Sequence, residues 1–214
     1  MASERVINVN GISTKIQFTE GLSKTERNTS LRPKLIPRQD LPELGDFLRK
    51  RGLEISFTTG VYDMIHIGHA RYMQLARSLG DILVVGLNSD DSVHALKGPD
   101  RPILSEDKRA EMLSFLSFVD YITIFPETTG AEVIRLLKPS RYLCVEGSWD
   151  GDIGAKDEVI AITENGGEVF YTPRQSPTLS TTAIIERIAE SVGREKDDEL
   201  RQLRSMMENN GGNK

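Results

Sequence analysis

Residues 55–69 read ISFTTGVYDMIHIGH, and this stretch decides the fold. The apolar and β-branched run Ile55–Thr59 predicts a strand, and the pattern over Ala70–Leu79 predicts a helix. The turn between them carries His66 and His69, two of the 3 histidines in the chain. A strand, a glycine-containing turn and a helix are therefore expected in succession, with both imidazoles near the start of the helix.

The start of this helix has the properties of a phosphate site. Its first backbone N–H groups lack partners within the helix and lie at the positive end of the helix dipole. Gly60 and Gly68 allow the backbone to approach a ligand closely. The imidazoles of His66 and His69 can donate hydrogen bonds to phosphoryl oxygens. The stretch thus predicts a site for a phosphorylated ligand.

Strands and helices alternate along the rest of the chain. Such alternation predicts an α/β fold: a Rossmann-like, doubly wound and mainly parallel five-stranded sheet with helices on both faces. Ligands of these sheets bind at the carboxyl ends of the strands, and the histidine-bearing turn follows a strand in just this way. The predicted strands are Ile55–Thr59, Ile82–Leu87, Tyr121–Phe125, Tyr142–Val145 and Val169–Tyr171, and the predicted helices are Leu41–Arg51, Ala70–Leu79, Ser105–Leu116, Ala131–Leu137, Ala155–Asn165 and Ser180–Val192.

The composition indicates one soluble domain with tails. Residues 1–35 are polar with little periodicity and are predicted to form an N-terminal extension that is flexible or wraps the core. Residues 36–193 form the predicted domain. Residues 194–214 are predicted to form a charged, partly disordered C-terminal tail.

Charge and cysteine content exclude several classes of protein. A net charge of −5 argues against a broad nucleic-acid surface. The single cysteine excludes a disulfide framework and favours a reducing compartment. The sequence has no apolar run long enough to span a bilayer and no signal peptide, so a cytoplasmic protein without a membrane partner is expected. Cys144 lies in an apolar strand and is predicted to be a buried thiol rather than a nucleophile.

The H-x-G-H element at His66–His69, after a glycine turn and Tyr62-Asp63, resembles the cytidylyltransferase-like family of nucleotidyltransferases. Within that family the chain resembles heptose-1-phosphate adenylyltransferase domains and glycerol-3-phosphate cytidylyltransferase. Further segments resemble the family's motifs in order along the chain, and the ordered set is far more specific than any one of them. These segments are Asn88–Asp91, Leu96–Pro102, Lys108–Arg109 and Ser180–Thr182.

The resemblance implies that residues 36–193 form a nucleotidyltransferase domain. Such an enzyme joins a nucleoside monophosphate, from CTP or ATP, to a phosphorylated small molecule such as a sugar or polyol phosphate and releases pyrophosphate. It also implies Mg²⁺ as cofactor, with no residue assigned as a metal ligand, and a homodimer. The implied catalytic residues are His66, His69, Lys97 and Arg109, the last two as mobile positive charge. The implied nucleotide-binding residues are Thr59, Gly60, Val61, Asp63, Gly68, Arg174, Ser180, Thr181 and Thr182, and the implied acceptor-binding residues are Glu146 and Trp149.

The chemistry of nucleotidyl transfer agrees with these residue types. The reaction depends on positioning and on stabilising charge. The attacking phosphate monoester is already an anionic nucleophile, so it needs no base. In the acceptor region Glu146 stands where the heptose enzymes carry a lysine, which makes a different phosphorylated acceptor possible.

Other interpretations of the sequence remain open. The departure at Glu146 and the long tails also fit a catalytically inactive nucleotide-binding or regulatory protein. Aminoacyl-tRNA synthetases share H-x-G-H, but the chain is short for one and lacks a lysine-rich counterpart at Ser180. The Leu96–Pro102 segment favours the sugar-phosphate branch over adenylyltransferases acting on flavin or pantetheine phosphates. The structural alternatives are that His66 and His69 only pack against the helix start, that Asp63 only orients its turn, that Ser180–Thr182 only cap a helix, that Lys97, Arg101 and Arg109 are surface charges, and that Trp149 packs in the core.

Overall fold

The computed structural model describes residues 3–9, 12–18, 34–146 and 156–210. A two-stranded antiparallel hairpin precedes an α/β domain along the chain. The strands are β1 (Ser3–Val9), β2 (Ile12–Phe18), β3 (Ile55–Gly60), β4 (Ile82–Asn88), β5 (Tyr121–Phe125), β6 (Arg141–Val145) and β7 (Glu168–Thr172). The helices are α1 (Leu41–Arg49), α2 (Ile67–Ser78), α3 (Asp90–Lys97), α4 (Glu106–Ser114), α5 (Ala131–Leu137), α6 (Asp157–Glu164) and α7 (Thr181–Asn210), with a 3-10 turn at Arg38–Asp40 before α1.

Strands β3 to β7 form one five-stranded sheet in the order β5-β4-β3-β6-β7, and every pairing is parallel. The apolar strand β4 is buried from Leu83 onward, as expected of a parallel strand covered on both faces. The chain runs outward from β3 to β5 and then returns to the other side of β3 with β6. The predicted doubly wound sheet is confirmed and is parallel throughout the domain. Its strand order reverses between β3 and β6, and such a reversal leaves a crevice at the carboxyl ends of the strands.

Apolar residues on the two sides of the sheet form two hydrophobic clusters. One cluster includes Leu48 of α1, Ile134 of α5 and Ile162 of α6. The other includes Met73 of α2 and Leu113 of α4. Helices therefore cover both faces, as the sequence predicts, and these packed layers support the strand ends at the crevice.

Side-chain capping accounts for one shifted helix start and for one helix that the sequence analysis does not predict. Helix α2 begins at Ile67 rather than Ala70, since the His66 side chain accepts the Gly68 N–H and caps the first turn. The unpredicted helix α3 occupies the polar segment after β4. The Ser89 side chain caps it by accepting a backbone N–H three residues on. Both differences arise from side chains that supply hydrogen bonds which hydrophobic periodicity does not reveal.

Both ends of the chain carry more regular structure than predicted. The interpretation of residues 1–35 as an extension without periodicity misses the hairpin β1–β2, although Asn10-Gly11 between its strands is a strong hairpin signal. Helix α7 continues through the predicted tail to Asn210, and residues 211–214 lie outside the described residues. Over the described ranges, no helix combines the length and hydropathy needed to cross a membrane.

The segment before the 3-10 turn joins the edge of the sheet. Leu35 forms a parallel bridge with Ile122 of β5. The Ile36 N–H donates to the Ile122 carbonyl at 2.8 Å, and the Ile122 N–H donates to the Lys34 carbonyl at 2.8 Å. The packed domain therefore includes Lys34 and Leu35, ahead of the predicted boundary at residue 36.

Candidate active site

A cavity of about 540 Å³ opens at the carboxyl ends of β3 and β6, at the reversal of strand order. It is bordered by the N-terminal ends of α2 and α7 and by the loop after α3. The structure thus gathers segments from both halves of the chain around one space. The sequence-predicted site residues that line it are Thr59, Gly60, Val61, Asp63, His66, Gly68, His69, Lys97, Arg174, Ser180, Thr181 and Thr182.

The His66 imidazole is held in place by its role as a helix cap. Its Nδ1 accepts the Gly68 N–H at 3.1 Å, so in the neutral ring the proton is on Nε2. That Nε2–H is a hydrogen-bond donor available to an anionic ligand. A Cβ on Gly68 would lie 2.9 Å from the His66 ring and 3.0 Å from the Ser176 side chain. Any larger residue at position 68 would therefore displace the imidazole.

The His69 ring stacks on His66, with the ring centroids 3.9 Å apart and the planes at 22°. Burial, and to a smaller extent the neighbouring His66, lowers the pKa of His69 to about 4. Burial also lowers the pKa of His66. Both rings are therefore neutral at pH 7. The His69 Nδ1 is buried and has no hydrogen-bond partner among the described residues. A phosphate ligand would favour the protonated forms and raise both pKa values.

The lowered pKa of His69 predicts a pH-dependent stability. In an unfolded chain the pKa of histidine is near 6.5, so between about pH 6.5 and 4 the unfolded state binds a proton that the folded state does not. The free energy of unfolding should be at its full value above about pH 6.5 and fall as the pH drops toward 4, by at most about 3 kcal/mol. Urea unfolding over this range measures the fall. In the His69→Phe variant the free energy of unfolding should decline less steeply with falling pH. An equally steep decline would contradict the attribution of this pH dependence to His69.

Asp63 connects the segments that surround the cavity through hydrogen bonds. The residue is 1% exposed, and its carboxylate accepts the Arg101 Nε–H and the Ile103 N–H, both at 2.9 Å, and the Leu104 N–H at 3.1 Å. Its carbonyl accepts the Thr181 hydroxyl at 2.6 Å. Asp63 therefore ties the loop after α3 and the start of α7 to the turn after β3. These contacts favour the alternative in which Asp63 orients the turn over direct contact with a nucleotide.

The turn that holds Asp63 has strained backbone. Tyr62 and Met64 have φ values of +48° and +53°, in the left-handed region that non-glycine residues avoid. Such conformations cost about 1–3 kcal/mol each and persist only where the surroundings hold them. Here the Arg109 guanidinium and the Thr181 hydroxyl each donate to a carbonyl of the turn. The strain lies directly beside the candidate site, as is common for functional turns.

Arg109 does not lie where the sequence interpretation expects it. The residue is fully buried, at 0% exposure, and does not line the cavity. Its guanidinium donates to the carbonyls of Val61 at 2.6 Å and Leu104 at 2.9 Å and pairs with the Asp90 carboxylate at 2.8 Å. With these partners it braces the turn after β3 and is not a mobile charge. A sequence signal was available, since Arg109 lies four residues before Leu113 and shares the helix face that this leucine buries.

The start of α7 is both capped and open to the cavity. The Ser180 Oγ accepts the Ala183 N–H at 3.1 Å. Ser180, Thr181 and Thr182 all line the cavity, so capping by Ser180 is compatible with contacts to a ligand, which stay a prediction. The free N–H groups at this helix start complement those at the start of α2.

The predicted acceptor residues are not part of the observed cavity. Glu146 is exposed and does not line it, and its backbone N–H donates to the Thr172 carbonyl at 2.8 Å. Trp149 lies outside the described residues. Acceptor contacts by these two residues therefore stay predictions.

Several lining residues were not assigned to the site from the sequence. They come from the turn after β3, from α2, from β6, from the segment before α7 and from the loop after α3. The predicted burial of the Cys144 thiol is confirmed, and burial, with a smaller contribution from Glu158, raises its pKa to about 12. The additional lining residues are Tyr62, Tyr72, Arg101, Tyr142, Cys144, Val145, Gln175, Ser176 and Leu179.

The residues around the cavity are compatible with a metal ion that is bound mainly by the phosphates of a ligand. The described part of the chain contains no group of three or more His, Cys, Asp or Glu residues that could hold a metal ion. The Asp63 carboxylate borders the cavity but is already engaged by three donors. Mg²⁺ commonly keeps its waters and binds through substrate phosphates. The residues present are compatible with an ion carried in this way.

The family model and the relatives found by sequence identify the family of the chain. A family model described as cytidylyltransferase-like matches residues 57–187. The chain is 50% identical over 159 residues to the bifunctional protein HldE of Helicobacter pylori (strain J99), covering 73% of this chain and 31% of that protein. It is 42% identical over 152 residues to the bifunctional protein HldE of Syntrophotalea carbinolica, covering 71% and 30%. The matched part is thus about a third of the length of these relatives. Among solved structures, the lipopolysaccharide core biosynthesis protein from Thermoplasma volcanium is 27% identical with a TM-score of 0.48, covering 57% of this chain and 97% of that one.

Proposed function

Because the chain belongs to the cytidylyltransferase-like family of nucleotidyltransferases, we propose that it transfers a nucleoside monophosphate from ATP or CTP to a phosphorylated sugar or polyol and releases pyrophosphate. One observation carries the proposal. The starts of α2 and α7, the stacked pair His66 and His69, and Lys97 converge on one cavity at the strand ends. Helix-start N–H groups and side-chain cations are what a triphosphate and a second phosphate ester need in one space.

Different residues around the cavity would have different roles in the proposed reaction. The Nε2–H of His66 and the ring of His69 would donate to the phosphates around the transferred phosphorus. The start of α7 would hold the remaining phosphates, and Lys97 and Arg174 would stabilise the charge that spreads over the phosphoryl oxygens. A phosphate oxygen of the acceptor attacks the α-phosphorus, the bond from this phosphorus to the bridging oxygen breaks, and pyrophosphate leaves in line. The attacking oxygen is already anionic, so no residue has to remove a proton.

The resemblance suggests finer features of the reaction. A bound Mg²⁺ would neutralise part of the charge on the triphosphate. The likeness of Leu96–Pro102 to the loop of the heptose enzymes supports a sugar phosphate as acceptor and ATP as donor. The same family resemblance supports a homodimer acting in the cytoplasm.

A substrate grid tests the proposed function. The purified protein with Mg²⁺ is mixed with ATP or CTP and each member of a panel of sugar and polyol phosphates, and pyrophosphate release is measured. We expect release to require both a triphosphate and an acceptor, with the unphosphorylated sugars as matched controls. Binding of the triphosphate by calorimetry without turnover for any pair would instead indicate the inactive nucleotide-binding protein.

A further inference from the structure

The Arg101 side chain points an unused pair of donors toward the cavity. Its Nε donates to the Asp63 carboxylate at 2.9 Å, and its side chain is 18% exposed and lines the cavity. Within the described ranges, neither of its two terminal nitrogens has a protein partner. The end of the guanidinium therefore keeps a planar fork of N–H groups, which matches two oxygens of a phosphate.

Asp63 fixes the direction of this fork. The same carboxylate that holds the Arg101 Nε also holds the backbone N–H groups of Ile103 and Leu104. The loop is thus attached at three points to a residue that is itself 1% exposed. Little side-chain entropy remains to be lost when the fork meets a ligand, which is the advantage of a preorganised site.

If Arg101 had a purely structural role, its terminal guanidinium nitrogens would be expected to donate hydrogen bonds within the protein. Arg109 serves as an internal comparison, because each of its guanidinium nitrogens donates to a carbonyl or a carboxylate. Arg101 has only its Nε engaged among the described residues. A partly buried cation with unpaired terminal donors is satisfied best by an anion in the cavity.

We propose that Arg101 binds the phosphate of the acceptor through its two terminal nitrogens and that Asp63 is the positioning residue for this contact. The proposal rests on the function proposed above. In an in-line transfer the acceptor and the leaving pyrophosphate lie on opposite sides of the α-phosphorus. The helix starts of α2 and α7 are suited to the triphosphate, and Arg101 lies on neither of them but on the loop after α3. The acceptor phosphate is then the group that meets the fork.

Kinetics of Arg101 variants test the assignment. Arg101→Gln should raise the KM for the acceptor by about 10- to 100-fold, the loss expected for charged hydrogen bonds. The KM for the nucleoside triphosphate should change by less than about threefold. Arg101→Lys, which keeps the charge but not the fork, should fall between the wild type and Arg101→Gln. A rise in the KM for the triphosphate instead, or no change in either KM, overturns the proposal while the proposed function stands.

Arg77 offers a matched control. Its Nε pairs with the Asp120 carboxylate at 2.9 Å, the same contact that joins Arg101 to Asp63, but away from the cavity. Arg77→Gln should leave both KM values unchanged. A change equal to that of Arg101→Gln would show that loss of an ion pair alone explains the effect.

A double-mutant cycle tests the role of Asp63. Asp63→Asn should raise the acceptor KM in the wild-type background and add little once Arg101 is already Gln. Additive effects would overturn the positioning role, because a general loss of structure does not depend on Arg101. If Asp63→Asn fails to fold, the Arg101→Lys comparison decides the proposal.

A binding measurement makes the test independent of turnover. Inorganic phosphate is titrated into the protein saturated with a non-hydrolysable triphosphate analogue, so that the triphosphate contacts are filled. Phosphate binding should be at least about tenfold weaker in Arg101→Gln than in the wild type or in Arg77→Gln. Equal binding in all three proteins, or no binding by the wild type, overturns the assignment even if no acceptor is found in the grid.

Discussion

Replacing His69 with alanine should lower kcat for pyrophosphate release by about 10²- to 10³-fold, the loss typical of one well-placed donor at developing charge. The ring is one half of a stacked pair in the cavity, and its buried Nδ1 has no partner among the described residues. Stability should change little, because the substitution removes an unsatisfied buried polar atom together with the ring. Steady-state kinetics and urea unfolding on the same preparations measure both quantities.

Two variants make the His69 prediction specific. His69→Phe keeps the volume of the ring and its stacking but has no N–H group, so it should be as impaired as His69→Ala. His94 is exposed on α3, and His94→Ala should keep full activity. Wild-type kcat in His69→Phe would remove His69 from the chemistry and leave it a packing role.

Replacing Arg109 with methionine should lower the free energy of unfolding by about 3–5 kcal/mol, because the fully buried guanidinium makes three hydrogen bonds, one of them to the partly exposed Asp90 carboxylate. The change leaves the Asp90 carboxylate and the carbonyls of Val61 and Leu104 without the donors that now reach them. The strained turn between β3 and α2 also loses one of its supports. Urea unfolding monitored by circular dichroism measures the loss.

Arg135 provides the comparison for the Arg109 prediction. Its side chain is 43% exposed and pairs with Glu132 and Glu164 at the surface. Arg135→Met should cost less than about 1 kcal/mol, as exposed ion pairs do. Equal losses for the two variants would mean that burial does not determine the contribution of Arg109.

The parts of the fold that depend on hydrophobic periodicity were predictable from the sequence. The continuous apolar run at Ile82–Leu87 is typical of a strand buried on both faces, and the structure extends it by one residue, to Asn88. Residues whose place depends on a hydrogen bond were less predictable. The start of α2 was missed because the sequence does not tell that the His66 Nδ1 accepts the Gly68 N–H.

In the candidate site, Arg101 and Arg109 show most clearly that roles which depend on hydrogen bonds cannot be predicted from the sequence. In the sequence, both Arg101 and Arg109 are cations near a motif, and the motif alone favoured Arg109. Only tertiary contacts distinguish them. All three guanidinium nitrogens of Arg109 donate to two carbonyls and a carboxylate, whereas among the described residues only the Nε of Arg101 donates to a carboxylate. The cavity-lining residues of the turn after β3 and of the start of α7 were predictable because their glycines, histidines and helix-start hydroxyls lie in contiguous motifs, and their contacts with a nucleotide stay a prediction.

The bridge between Leu35 and Ile122 has a consequence for how the sheet ends in solution. An uncovered edge strand exposes unpaired N–H and C=O groups, and a strand from a neighbouring molecule can add to them. The backbone of Lys34 and Ile36 takes up these groups of Ile122 instead. A chain trimmed to begin at Pro37 would turn β5 into a template for intermolecular pairing, whereas one beginning at Lys34 would keep its own cover.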